Sequence, residues 1–120
     1  MSPQIEQRPW GQFEILYDGG DCKLKRITVN PQGVLSLQSH KHRDEIWSVV
    51  SGQGMFKGGD GESYEEFPIG VGNPIGIPRG TIHRVWNPHD NPLVFIELIS
   101  SSSSRLYLFF NFAILFFTLN

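Results

Sequence analysis

Residues Gly72–Asn87 read GNPIGIPRGTIHRVWN, and their punctuation decides how the chain folds. Pro78 and Gly80 form a tight turn between two short extended segments, because proline fixes φ and glycine accepts the conformations other residues avoid. His83 emerges in the strand that follows, on its inward face, and Asn87-Pro88 begins the next turn. A histidine alone on an apolar strand is usually a satisfied core residue. A second cluster upstream gives this one something to meet.

That cluster lies in Ser36–Gly52, SLQSHKHRDEIWSVVSG. Side chains alternate faces along a strand, so Gln38, His40 and His42 share one face if this piece is extended, and Glu45 follows directly. Imidazole, carboxylate and amide groups converging on one point form a donor set suited to a metal ion. With no thiolate among them, they suit Zn²⁺ first and Mn²⁺, Fe²⁺, Co²⁺ or Ni²⁺ as well. The competing reading is a polar hairpin end with two solvated histidines.

The rest of the chain is punctuated in the same way. Thirteen glycines and eight prolines in 120 residues favour a turn-rich, all-β chain. Strands are expected at Phe13–Tyr17, Cys22–Asn30, Val34–Gln38, Ile46–Val50, Met55–Lys57, Tyr64–Phe67, Val71–Ile77, Thr81–Trp86 and Leu93–Ile99, after an extended lead-in over residues 1–12. Cys22–Asn30 alternates, with Lys25, Ile27 and Val29 on one face. No helix-period pattern with caps appears in the first half. Short strands at close spacing argue for a sandwich or barrel.

A net charge of −2 gives no basic footprint for nucleic acid. Cys22 is the only cysteine, which excludes an internal disulfide and a thiolate zinc cluster. Without a charged-then-apolar leader, a cytoplasmic location is expected. Residues 1–100 read as one domain, and residues 101–120 as a Ser-rich and hydrophobic tail. The tail's apolar run, LYLFFNFAILFFTL, would cover roughly 21 Å as a helix, short of the roughly 30 Å hydrocarbon core, so a membrane span is not expected.

The two clusters together resemble the cupin superfamily, whose second motif, Gly-x(5)-Pro-x-Gly-x(2)-His-x(3)-Asn, is matched at every defined position by residues 72–87. The first motif fits as Gln38-x-His40-x(4)-Glu45-x(6)-Gly52, with Gly33 one residue too close. RPWG at 8–11, KRITVNPQGVLSLQSHKHRDEIWSVVSG at 25–52 and IPRGTIHRVWNP at 77–88 resemble the C-terminal isomerase domain of type II mannose-6-phosphate isomerase/mannose-1-phosphate guanylyltransferases. The resemblance implies a double-stranded β-helix (jelly-roll barrel) and one divalent metal held by Gln38, His40, Glu45 and His83. His42 competes with Gln38 for a ligand place, and the four-residue gap to Glu45 favours Gln38.

The implied reaction is aldose–ketose isomerisation of mannose 6-phosphate to fructose 6-phosphate. Lys25 and His42 are then the expected base candidates, Arg84 a candidate beside them, and Arg43 and Arg79 candidates for the phosphate, which guanidinium binds bidentately. A sugar phosphate is the expected partner, with a homodimer as the assembly cupins commonly adopt. The 120 residues show no Gly-rich nucleotide-binding region, so guanylyl transfer is not expected of them. A metal-dependent cupin dioxygenase, which usually has histidine where Gln38 stands, and a non-catalytic metal- or sugar-binding module are the alternatives.

Overall fold

A computed structural model describes residues 4–101, and the expectations for the tail beyond Ser101 lie outside the described residues. Nine strands form among those residues, and no helix. They are β1 (Gln4–Arg8), β2 (Gly11–Asp18), β3 (Cys22–Val29), β4 (Asp44–Ser51), β5 (Gln53–Gly59), β6 (Tyr64–Gly70), β7 (Ile75–Ile77), β8 (Ile82–Trp86) and β9 (Leu93–Ser100). One sheet has the order β1-β2-β3-β9-β4-β7 and the other β6-β5-β8. Every pairing is antiparallel. This is the double-stranded β-helix of the cupins.

Two-residue periodicity decides what each sheet turns inward. In β9 the inward set is Leu93, Phe95, Glu97 and Ile99; in β4 it is Glu45, Trp47 and Val49. Trp47 stacks on Phe95 at 4.5 Å between ring centroids and meets Phe56 of the opposite sheet edge-on at 5.6 Å. Val29, Val85 and Leu93 complete the most buried layer. Such aromatic pairs add to the burial of apolar area, which carries most of the stability.

Register then places polar groups at one end of this core. Lys25 of β3 pairs across from Glu97 of β9, and Glu97 across from Trp47 of β4. The inward face of Lys25, Ile27 and Val29 is therefore as the alternation of Cys22–Asn30 predicts, with Ile27 and Val29 buried.

Three expected elements differ. Within the expected lead-in over residues 1–12, residues 4–12 form β1 and the start of β2, folded into a hairpin. Val34–Gln38 is not a continuous strand: it bridges β8 only at Val34↔Trp86 and Gln38↔His83. Between those bridges the segment advances four residues while β8 advances three, so one residue bulges out and the ladder breaks. Val71–Ile77 shortens to Ile75–Ile77, because Gly72 has φ 91° and the amide of Asn73 donates back to the Gly70 carbonyl, closing a turn after β6.

Candidate metal centre

Backbone contacts bring the two sequence clusters together. Gln38 and His83 exchange both main-chain hydrogen bonds, at 2.9 and 2.7 Å. The amide of Gly80 donates to the His40 carbonyl at 2.8 Å, and Gly80 itself needs its positive φ of 84° to make the turn. At the far end, Asn87 is fully buried; its Nδ2 donates to the carbonyls of Val29 and Asn91, and its Oδ1 accepts from the His89 amide. Gly52 closes the first cluster, where a Cβ would collide with the Pro92 carbonyl oxygen. These residues explain the spacing of both motifs as scaffold.

The scaffold converges His40, Glu45 and His83, whose ligand atoms lie within 4.8 Å of one another. His40 Nε2 is 3.2 Å and His83 Nε2 3.9 Å from Glu45 Oε2. His83 Nδ1 sits 3.1 Å from the Thr81 carbonyl oxygen, which can only accept, so Nδ1 carries the proton and Nε2 presents a lone pair. Imidazoles that ligate metals are commonly held this way by a carbonyl behind them. Glu45 is oriented in the same fashion, its Oε1 accepting from the Trp47 indole at 3.0 Å. Two imidazole nitrogens and a carboxylate facing one point, with His83 and Glu45 fixed from behind, fit a divalent cation. Gln38, the fourth expected donor, is bridged to His83 through the backbone and lines the cavity beside the cluster.

Electrostatics agree with the geometry. Burial alone would raise the Glu45 carboxyl, but the hydrogen bond from Glu97, then the neighbouring His83 and Arg43 and the Trp47 indole, bring it down to about 2. Glu97 is driven the opposite way, well above the usual carboxylate range, by burial and by its hydrogen bond to, and the charge of, Glu45. The opposite shifts place the shared proton of this carboxyl pair on Glu97, which donates to Glu45. Burial lowers His40 below the ordinary imidazole value against the pull of Glu45. Burial likewise lowers Lys25, with Glu97 opposing.

A cavity of about 330 Å³ opens beside these donors. Arg8, Lys25, Arg43 and Arg84 bring four cations to its wall, against the single carboxyl of Glu97. Trp10 and Phe13 supply an apolar side, and Lys25 Nζ stands 4.5 Å from the centre of the Phe13 ring. Arg84 Nε is buried and meets no hydrogen-bond acceptor among the described residues.

Of the residues expected at the site, Lys25, Gln38, Arg43, His83 and Arg84 line the cavity, with His40 and Glu45 adjoining it. Two do not come together with them. His42 is exposed and stands outside both the donor cluster and the cavity wall, which corrects its expected role as base or ligand. Arg79 does not line this cavity: its Nε is 3.2 Å from Asp44 Oδ1, and its amide donates to the same oxygen at 3.0 Å. That pairing corrects its assignment to phosphate, and its partner Asp44 is fully buried. Glu97 is absent from the residues expected at the site, although the inward phase of Leu93, Phe95 and Ile99 places a carboxyl on the core face.

Residues 3–106 match the family described as Mannose-6-phosphate isomerase C-terminal. The chain belongs to this family. It is 39% identical over 95 residues to a mannose-1-phosphate guanylyltransferase of Salmonella muenchen, covering 79% of this chain and 19% of that protein. It is 42% identical over 95 residues to the xanthan biosynthesis protein XanB of Xanthomonas campestris pv. campestris (strain B100), covering 79% and 20%. The chain thus spans about a fifth of the length of the curated relatives it matches. Among solved structures, the capsular polysaccharide assembling protein CapF of Staphylococcus aureus superposes with a TM-score of 0.77 at 18% identity, covering 86% of this chain and 32% of that one, which shows the shared fold.

These relatives correct the expected reaction. At about 40% identity they are named for guanylyl transfer and for xanthan biosynthesis, not for aldose–ketose isomerisation, so conversion of mannose 6-phosphate to fructose 6-phosphate is not assigned to this chain. The cavity is consistent with that correction, since one of the two expected bases, His42, lies outside it.

Proposed function

We propose that this domain is a divalent-metal cupin that binds a phosphorylated mannose, within the supply of activated mannose for polysaccharide synthesis. The observation that carries this reading is the juxtaposition of His40, Glu45 and His83 with a cavity walled by Arg8, Lys25, Arg43 and Arg84. His40, Glu45 and His83 would hold the ion, with Gln38 as fourth donor. When bound, a divalent metal supplies Lewis acidity toward sugar oxygens.

The chain's own residues do the rest. Lys25 and Arg84 give a phosphate point-charge and forked recognition, and cations gathered in a concave site concentrate anions there. Phe13 and Trp10 offer apolar surface to the C–H face of a sugar ring. Glu97 hydrogen-bonds Glu45, and its raised carboxyl pKa lessens the negative charge that the wall turns toward the ligand. The names of the relatives support mannose as the sugar, and a phosphorylated sugar ligand accords with a cytoplasmic location.

Metal analysis joined to calorimetric titration tests this. Zinc bound one per chain, together with binding of mannose 1-phosphate at least about tenfold tighter than of mannose, is expected, since a charge-assisted contact to phosphate is worth about 1.5–3 kcal/mol. Equal affinities for the two sugars, or a chain that takes up no metal, would refute the reading.

A further inference from the structure

The donor cluster already contains a cation of the protein's own. Arg43 Nη2 lies 2.9 Å from His40 Nε2, and Arg43 Nε lies 3.3 Å from Glu45 Oε2. A guanidinium only donates, so His40 Nε2 accepts through its lone pair. That lone pair and that carboxylate oxygen are the ones a metal ion would take. Arg43 also lines the cavity that Lys25 and Arg84 face.

We propose that Arg43 and the metal exclude each other at His40 and Glu45, so that metal binding releases the Arg43 guanidinium to an anionic ligand in the cavity and the two ligands bind cooperatively. This rests on the metal-binding reading above and goes beyond it, because it assigns Arg43 two alternative partners. The single lone pair of His40 Nε2 serves one electrophile at a time, and at Glu45 Oε2 a divalent ion beside the guanidinium adds like-charge repulsion to the competition. The released side chain stays in a cavity of about 330 Å³ with three further cations on its wall, Arg8, Lys25 and Arg84, where a phosphate can accept from it. By linkage, whatever factor the metal adds to anion affinity, the anion adds to metal affinity.

The test titrates Zn²⁺ into the full wild-type chain and into Arg43→Gln and Arg43→Lys variants, then mannose 1-phosphate into each with and without Zn²⁺. Arg43→Gln is expected to bind Zn²⁺ about 10- to 100-fold tighter than wild type, the change that one or two charge-assisted hydrogen bonds correspond to. Arg43→Lys, which keeps the charge but loses the fork, falls between them. Zinc is expected to raise wild-type affinity for mannose 1-phosphate by a factor about tenfold larger than in Arg43→Gln. Zinc affinity in Arg43→Gln equal to or weaker than wild type, or the same zinc-dependent gain in both, would overturn the exchange while leaving the metal centre standing. Should Arg43→Gln fold poorly, zinc that leaves wild-type affinity for mannose 1-phosphate unchanged overturns it alone. Zinc taken up by none of the three proteins would instead bring down the metal centre itself, and the exchange with it.

Discussion

Arg43 and Arg79 make the most instructive pair in this molecule. Each contacts one of two adjacent carboxylates at the start of β4, Arg79 with Asp44 and Arg43 with Glu45. Asp44 and Glu45 sit side by side on a strand and so point to opposite faces. Asp44 is enclosed with the backbone and side chain of Arg79, where the pair staples the turn after β7 to the start of β4. Glu45 faces the barrel interior, where Arg43 shares it with His40, Trp47 and Glu97. The same kind of ion pair is scaffold on one face and a site on the other, and the neighbours decide which.

Breaking the scaffold pair should have the largest effect. Asp44 is fully buried, accepts from the amide of Arg79 and pairs with its guanidinium. Losing these two bonds to a charged group, worth about 1.5–3 kcal/mol each, Asp44→Ala is expected to lower the unfolding free energy by about 3 kcal/mol, measured by urea denaturation. On the site face the loss should appear in binding. His83→Ala is expected to weaken zinc by more than about 100-fold, beyond the roughly 10- to 100-fold typical of groups that merely orient a ligand, read by competition with a chelating dye. A smaller effect is expected from Lys25→Met, which should weaken mannose 1-phosphate about tenfold while leaving zinc content unchanged, since one charged hydrogen bond is lost.

Much of this contrast is legible in the order of the residues alone. Pro78, Gly80, His83 and Asn87 carry local geometric demands, a turn, an inward strand position and another turn, and local demands leave marks at fixed spacing. Lys25 follows from strict alternation in β3. The partner of each arginine does not. Whether Arg79 meets a phosphate or Asp44 depends on a contact between residues 35 positions apart in sequence, which no local pattern encodes. His42 misleads for a similar reason: an unbroken strand would put Gln38, His40 and His42 on one face, and the bridged, interrupted segment 34–38 removes that assumption. Glu97 is readable from its phase but not its protonation, which depends on Glu45 arriving from another strand.

Acid should separate the two faces next. His40 has a folded pKa below its ordinary 6.5, so the unfolded chain takes up a proton there that the folded chain refuses. The His40 contribution to stability is therefore lost as pH drops from about 6.5 toward its folded value, while the raised Glu97 carboxyl contributes in the opposite direction above 4.5. Zinc affinity falls with His40, because only the neutral imidazole ligates. Glu45, held to about 2 against an ordinary 4.5, adds a contribution present above 4.5 and lost as pH falls toward 2. Denaturation curves across that range, with and without zinc, check the sign. The smallest effect belongs to the exposed His42: His42→Ala should stay within about 0.5 kcal/mol of wild type in stability and bind zinc unchanged.

The central claim, that His40, Glu45 and His83 form a metal centre, is tested most directly by X-ray absorption at the zinc edge on the loaded full chain. A shell of nitrogen and oxygen neighbours with the outer-shell scattering of two imidazoles, falling to one in His83→Ala, is the predicted result. Zinc surrounded by oxygens alone, or by the sulfur of Cys22, would contradict it.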